Sequence, residues 1–216
     1  MDLLHQLIDF IAHIDVYLQE WVKNYHNLTY LILALIVFCE TGFVFTPFLP
    51  GDSLLFAAGA LAGAGSLSLG LLLIILFAAA FAGDNTNYFI GNFIGHKIVN
   101  SKRKLIKQEY LDRTHKFYEK HGGKTVIIAR FMPIIRTFAP FVAGLGSMTY
   151  RRFLLFCIVG NLLWIVSFLM VGYLFGNIPI VKHNFTLVVF GIIILSLLPM
   201  VIAFIRHRFI SNKQPS

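Results

Sequence analysis

Two apolar stretches of this 216-residue chain carry ionisable side chains and are interrupted by proline and glycine. The first contains Glu40 and Asp52, and the second contains Arg130 and Arg136. An ionised side chain in the middle of a bilayer costs about 2.5–3.5 kcal/mol even on the mildest scale, so such residues persist where they contact one another, water or a substrate. The pattern predicts an integral membrane protein with a polar site in its interior.

The composition and the charge distribution also favour a membrane domain. Hydrophobic residues make up 57% of the chain, which is more than a soluble domain of this length can bury. The stretch 97–124 holds nine Lys/Arg against three Asp/Glu. Basic segments stay in the cytoplasm, so we expect this stretch, Arg151, Arg152 and the tail 207–216 on that side. Membrane segments flank the basic stretch, so its expected partners are anionic lipids and not nucleic acid.

The order of apolar segments predicts an all-α protein. Residues 1–24 have an amphipathic pattern, and that helix either lies on the membrane surface or packs against the rest of the protein. A membrane domain over 25–206 follows. Within it we expect a cytoplasmic basic helix over 101–121 and transmembrane helices over about 67–98, 153–175 and 185–205.

The segments around the four ionisable residues are too short and too broken to span a membrane. Each apolar run there is well below the ~20 residues that a spanning helix needs. We therefore expect two re-entrant helical hairpins, over about 28–65 and 125–148. The second is expected to enter and leave on the cytoplasmic side, and the first on the opposite side, because one crossing separates it from the basic stretch. Their corresponding positions suggest an inverted repeat. The structural hinge candidates are the prolines and glycines of these segments, Pro47, Pro50, Gly51, Pro133, Pro140 and Gly144.

The four residues suggest complementary chemistry. The guanidinium groups of Arg130 and Arg136 can bind a phosphate or carboxylate through paired N–H donors, which makes them candidates for substrate binding. Burial favours the neutral form of a carboxyl group, so Glu40 or Asp52 could bind and release a proton and thereby couple or gate transport. Together they predict a proton-coupled carrier of an anionic substrate. Alternatively, the acids pair with the arginines and simply hold the two hairpins together.

Other polar residues in the apolar segments have two interpretations each. Asp84 is either a third member of the site or a hydrogen-bonding partner of the helix near Gly83. Asn85 and Tyr88 are auxiliary site candidates. Asn85, Asn87 and Asn161 fit hydrogen bonds between neighbouring helices better than contacts with a ligand.

No motif in the chain indicates catalysis or a metal. Cys39 and Cys157 lie in apolar segments, which predicts free buried thiols. The histidines show no metal-ligand spacing, and neither a P-loop nor a GxSxG motif is present, so we expect no metal, no cofactor and no enzyme activity.

Several of these motifs together resemble the DedA family of bacterial inner-membrane proteins, which shares its domain with eukaryotic VTT-type lipid scramblases. The resemblance rests on Glu40, the sequence FLPGD ending at Asp52, the pair Gly83-Asp84 and the run ARFMPIIRTFAP over 129–140. It covers about residues 25–205. It implies that the acidic pair and the arginine pair of this chain are its essential residues. It also implies that the protein moves polyprenyl phosphates, notably undecaprenyl phosphate, or phospholipids between leaflets and supports envelope integrity.

These observations lead to one functional expectation and three rivals. We expect a multi-pass lipid flippase of the bacterial inner membrane that uses membrane lipids and protons as partners. The alternative from the residues alone is a proton/cation antiporter that maintains the proton motive force. A lipid phosphatase is disfavoured because no histidine accompanies the arginines, and a non-catalytic envelope scaffold is the fourth possibility.

Overall fold

The computed structural model describes residues 14–25, 27–43, 51–99, 127, 130, 132–146, 148–192 and 194. These residues are helical apart from short connections and contain no strand, which confirms the all-helical prediction for this part of the chain. The helices are α1 (Ile14–Tyr25), α2 (Asn27–Gly42), α3 (Gly51–Gly63), α4 (Leu69–Val99), α5 (Pro133–Leu145), α6 (Tyr150–Phe175) and α7 (Pro179–His183). A further helix, α8, begins at residue 185 and is described to residue 192.

Some predicted features lie outside the described residues and stay predictions. They are residues 1–13 of the amphipathic helix, the hinge candidates Pro47 and Pro50, the basic helix 101–121, the last spanning helix beyond 194 and the tail 207–216.

Helices α4 and α6 are long and apolar enough to cross a membrane. Their candidate spans, Leu69–Gly95 and Tyr150–Phe175, contain 27 and 26 residues. Each is about 40 Å long, against a hydrocarbon core of about 30 Å. In the most apolar part of each helix, only 33% of the residues are buried within the protein. Outward side chains such as Ile74 and Leu155 are apolar and exposed, as expected for a surface that contacts lipid.

Helices α2 and α3 form an antiparallel pair. At one end the backbone N–H of Gly51 donates to Glu40 Oε1 at 3.3 Å, and at the other the N–H of Ser68 donates to the Tyr30 hydroxyl at 2.7 Å. The helices contain 16 and 13 residues, which makes them about 24 and 20 Å long. Neither is long enough to span the hydrocarbon core alone. The pair therefore has the dimensions of the predicted hairpin, whose place in the membrane stays a prediction.

The described part of the N-terminal helix packs against the protein. Leu18 of α1 is fully buried in the main apolar core, and Trp21 and Val22 pack against the same core. Contacts of α1 with α2 and α3 account for this burial. Of the two roles that the sequence left open, packing against the protein is the one observed over Ile14–Tyr25.

Helix α5 differs from the sequence-based prediction at Pro140 and Gly144. It begins at Pro133, where a missing N–H costs nothing, and it continues without a break to Leu145. Pro140 lies inside the helix, where its ring removes the hydrogen bond to the carbonyl of Arg136. One missing bond is tolerated because α5 packs along α4, so neither residue interrupts the helix.

Glycine brings α5 directly against α4. A Cβ atom on Gly91 would collide with the carbonyl of Phe141, and one on Gly144 would collide with the carbonyl of Tyr88. The two glycines therefore leave room for backbone-to-backbone contact where the helices cross.

The same arrangement recurs where α3 crosses α6. A Cβ atom on Gly59 would collide with the carbonyl of Leu169, and one on Gly172 would collide with the carbonyl of Phe56. Each short helix, α3 or α5, is thus seated on one of the long helices through a reciprocal pair of glycines.

Replacing Gly172 with valine is expected to destabilise the protein by at least about 1–3 kcal/mol, because the new side chain meets backbone that cannot move aside. Thermal unfolding of the detergent-solubilised protein measures the effect. Gly70→Val is the matched control, since a Cβ atom on Gly70 meets nothing within 4 Å. Equal melting temperatures for the two variants would contradict the close approach of α3 and α6.

Candidate functional site

Arg136 lies between two buried carboxylates. Its NH1 group donates to Asp52 Oδ1 and its NH2 group donates to Glu40 Oε1. Relative exposure is 5% for Arg136, 0% for Glu40 and 7% for Asp52, so the cluster is closed to solvent. The three residues come from the first turn of α5, the end of α2 and the first turn of α3. The three short helices thus meet at this cluster.

Gly51 is part of this geometry. A Cβ atom at this position would overlap the carboxylate of Glu40, so only glycine lets the start of α3 approach the end of α2. Its N–H also donates to Glu40. The hinge candidate Gly51 therefore contacts a site residue directly.

Arg130 forms a second buried pair with Asp84. Its NH2 group donates to Asp84 Oδ2, which also accepts a hydrogen bond from Asn161 Nδ2 at 2.8 Å. The thiol of Cys157 lies 3.2 Å from the same oxygen. A Cβ atom on Gly160 would lie 2.8 Å from Arg130 Nε, so this glycine leaves the space that the arginine side chain occupies.

Trp164 connects two members of the first cluster. Its Nε1–H donates to Asp52 Oδ1 at 2.8 Å, and its ring centroid lies 4.9 Å from Cζ of Arg136. The side chain is fully buried. Such a contact places the guanidinium over an aromatic face, which is favourable for a cation away from water.

The sequence analysis allowed Glu40 and Asp52 to pair with the two arginines, but the observed ion pairs are distributed differently. Both Glu40 and Asp52 pair with Arg136, whereas Arg130 pairs with Asp84. Of the two interpretations of Asp84, membership of the charged site is the one observed. Helix α4 continues through this position, so no helix break needs a partner there.

The ion pairs of Arg136 with Glu40 and Asp52, and of Arg130 with Asp84, are together called the charged cluster. Two auxiliary candidates lie outside it. Asn85 Nδ2 donates to the carbonyl of Phe81 in its own helix, and its Oδ1 accepts from the Tyr150 hydroxyl. Tyr88 donates to the carbonyl of Met148. Asn85 and Tyr88 therefore connect α4 to the residues that begin α6, and neither contacts the four predicted site residues through these bonds.

The asparagines divide between two roles. Asn87 Nδ2 donates to the carbonyls of Thr41 and Thr137, at 3.1 and 2.7 Å, and so links α2, α4 and α5 as predicted. Asn161 reaches the site instead. Sequence reasoning missed Asn161, Cys157 and Trp164 as site residues, although their spacing of four and three residues places them on one face of a spanning helix.

The charged cluster has an excess of acid and unused hydrogen-bonding capacity. Three carboxylates face two guanidinium groups, which gives a formal charge of −1 when all are ionised. Several of their buried polar atoms lack a hydrogen-bond partner, namely Glu40 Oε2, Asp84 Oδ1, Arg130 Nε and Arg136 Nε. Buried polar atoms without partners are costly, so this arrangement is suited to accept a proton, a cation or a polar ligand. Within the described residues, no group of three or more His, Cys, Asp or Glu residues is arranged to hold a metal ion.

Trp164→Phe keeps the aromatic ring and removes the N–H that Asp52 accepts. We expect the free energy of unfolding to fall by about 1.5–3 kcal/mol, the usual range for a hydrogen bond to a charged group. Thermal unfolding in detergent checks this. Ser167→Ala on the same helix is the control, because that exposed hydroxyl bonds only to its own helix at Leu163. A Trp164→Phe protein as stable as this control would contradict the bond.

Comparison with known proteins identifies the family. The family model described as the VTT domain matches residues 49–174. Protein DedA of Escherichia coli strain K12 is 54% identical over 211 residues, which cover 96% of each chain. The chain belongs to the DedA family.

More distant relatives carry membrane descriptions. An uncharacterized membrane protein of Mycobacterium leprae is 43% identical over 169 residues, covering 78% of this chain and 76% of that protein. The inner membrane protein YqjA of Escherichia coli is 30% identical over 189 residues, covering 83% and 82%. No solved structure matches the chain. Together with the two apolar helices, these relatives identify the chain as a membrane protein.

Proposed function

We propose that this DedA-family protein is a lipid-carrier translocase of the bacterial inner membrane. It moves undecaprenyl phosphate or a phospholipid between the leaflets, is coupled to protons and supports envelope integrity. The observation that carries the proposal is Arg136, held between the buried carboxylates of Glu40 and Asp52 among apolar helices. A guanidinium binds phosphate through the same two N–H donors that it offers to a carboxylate. The lipid head group therefore competes with these acids for one partner.

Competition for Arg136 couples the anion to a proton. With both acids ionised, a phosphate entering the cluster would add charge to a site that already has a formal charge of −1. A proton on Glu40 cancels one of the two charges that hold the guanidinium, so one N–H edge of Arg136 becomes free for the phosphate. Glu40 is the fully buried acid, and its Oε2 has no hydrogen-bond partner, so it is the proton acceptor in this scheme. Release of the proton restores the ion pair and expels the phosphate.

Transport requires the cluster to open, because none of its charged residues is more than 7% exposed. The helical pairing supports an inverted repeat of the kind that gives alternating access. Helix α3 of the first hairpin packs on α6, and α5, in the second broken segment, packs on α4. These two short helices therefore pack on the long helix of the other half, whereas α2 packs on α4 of its own half. In this scheme the short helices α2, α3 and α5 belong to two re-entrant segments whose ends meet at the ion pairs.

The orientation follows from the basic residues. Exposed Lys97 lies in the last turn of the described part of α4, where the stretch 97–124 begins, and exposed Arg151 and Arg152 lie in the first turn of α6. Basic residues at the same end of two antiparallel spans support a cytoplasmic location for that end, and we propose the same side for the C-terminus. The end that carries Gly63 to Leu69 is then outside.

A proton/cation antiporter is the second candidate. The formal charge of −1 favours it, because a cation could replace the missing positive charge without any lipid. In that case the arginines would only position the acids, and transport of a cation would persist in vesicles that contain no lipid phosphate.

Reconstitution into liposomes that contain fluorescent undecaprenyl phosphate tests the proposal. We expect the wild type to move the lipid, a proton gradient to change the rate, and Arg130→Ala to abolish movement, because Asp84 loses its cationic partner and the phosphate loses a ligand. Lys97→Ala, which removes an exposed cation, is the matched control. Movement by Arg130→Ala at the wild-type rate would contradict the lipid proposal, and cation exchange without lipid movement would favour the antiporter.

A further inference from the structure

A cavity with a mixed polar and apolar lining lies away from the ion pairs, at the end of the bundle where α3 ends. It has a volume of about 650 Å³ and is bordered by α1, α3, the turn after α6, α7 and the start of α8. Two lysines line it, Lys23 from α1 and Lys182 from α7. Gln19 and Asn177 add amide groups, while the α3 wall at Ala60 and the ring of Phe185 are apolar.

The charge of this cavity has one sign. Among its described lining residues there are two cations and no carboxylate, and neither lysine has an ion pair with a described acid. Both lysines are exposed, so they can approach a ligand without losing all of their hydration. An anion is the complementary ligand, because lysine ammonium groups bind phosphate oxygens. Asn177 Nδ2 donates to the carbonyl of Ala60 at 2.8 Å and so holds the wall of the cavity in place.

In the proposed orientation, the two lysines lie on a side of the membrane where lysine is uncommon in short connections. Under the orientation proposed above, the cavity opens on the outer side of the membrane, where short connections are depleted of lysine and arginine. Lys182 lies in the short connection between α6 and α8, and Lys23 lies just before α2. Two cations that converge on one cavity oppose that bias, and recognition of an anionic ligand accounts for their placement.

We propose that this cavity binds the phosphate group of a lipid in the outer leaflet, next to the translocation site. The proposal rests on the function proposed above. Helix α3 joins the two sites, because Asp52 and the cavity residue Ala60 are eight positions apart, about 12 Å along the helix axis. The lysines bind the phosphate and the apolar wall contacts the first carbons of the chain. A lipid phosphate thus fits the mixed lining better than free phosphate does.

Calorimetric titration of the full-length protein in neutral detergent tests this site with farnesyl phosphate as the probe. The charged cluster is buried, so the cavity is the first site to fill. We expect the double variant Lys23→Gln/Lys182→Gln to raise the Kd by about tenfold or more, as for the loss of charged hydrogen bonds to one ligand. Ala64→Phe, which narrows the cavity without changing charge, is expected to weaken binding as well. Lys97→Gln, an exposed cation far along α4, is the control.

Two further ligands and one further variant separate the possible outcomes. Farnesol, which lacks the phosphate, is expected not to bind, and inorganic phosphate is expected to bind at least tenfold more weakly than farnesyl phosphate. Inorganic phosphate that binds equally well and depends on the lysines would overturn the lipid assignment. Unchanged affinity in both the double variant and Ala64→Phe would overturn the cavity site. Arg136→Gln should keep this binding while losing transport, so failure of the cavity and failure of the translocase proposal are distinguishable.

Discussion

Replacing Arg136 with alanine is expected to destabilise the protein by about 3–5 kcal/mol and to abolish lipid movement. The substitution leaves Glu40 and Asp52 next to each other in an apolar interior without a counter-charge. Breaking a buried ion pair from one side carries a penalty of this size. Thermal or chemical unfolding in detergent measures the first effect, and the liposome assay measures the second.

A neutral version of the same cluster separates stability from transport. In the triple variant Glu40→Gln/Asp52→Asn/Arg136→Met no charge is left unpaired, so we expect much of the lost stability to return, since neutral replacement of a buried ion pair is often tolerated. Transport should remain absent, because neither the phosphate ligand nor the proton acceptor is present. If the triple variant restored envelope integrity, the cluster would be a structural lock and the scaffold interpretation would be correct.

Arg130→Lys is the second variant with a large expected effect. Lysine keeps the charge but offers a single ammonium group in place of the planar guanidinium. The side chain that now fits beside Gly160 and bonds to Asp84 would lose this geometry. We expect lipid movement to fall by about ten- to a hundredfold, the equivalent of one or two charged hydrogen bonds to phosphate, with little change in melting temperature.

The matched control for this position changes the acid. Asp84→Asn leaves the guanidinium in place and removes its counter-charge, so it should lower stability more than Arg130→Lys does. If the protein is a proton/cation antiporter, Asp84→Asn should reduce transport more than Arg130→Lys does, since an antiporter depends on its acids and is insensitive to the shape of the arginine side chain. Lipid movement by Arg130→Lys at the wild-type rate would exclude a head-group contact at this residue.

The sequence predicted the membrane setting and the charged residues of the candidate site from energetic cost alone. Glu40, Asp52, Arg130 and Arg136 were identifiable because a charge in an apolar segment needs a partner. The identity of each partner was not predictable, since it depends on where α2, α3 and α5 meet in space. Asp84 was left with two interpretations for the same reason.

Other features were hidden because their residue types have common alternative explanations. Trp164 and Cys157 are ordinary residues for a spanning helix, and only the structure reveals that they contact Asp52 and Asp84. Pro140 was predicted to be a hinge because proline usually ends a helix, but packing on α4 keeps α5 continuous. The cavity at Lys23 was not foreseeable, because its walls come from segments distant in sequence.

The glycine crossings between short and long helices limit how the helices can move. Where the backbones touch, a shift of one helix along the other would carry the Cβ atom of a neighbouring residue into the opposing carbonyl, so each crossing permits one register. We therefore expect α3 to move with α6, and α5 to move with α4, as rigid bodies. Any opening of the cluster then separates Asp52 and Trp164 from Arg136, because they lie on different bodies.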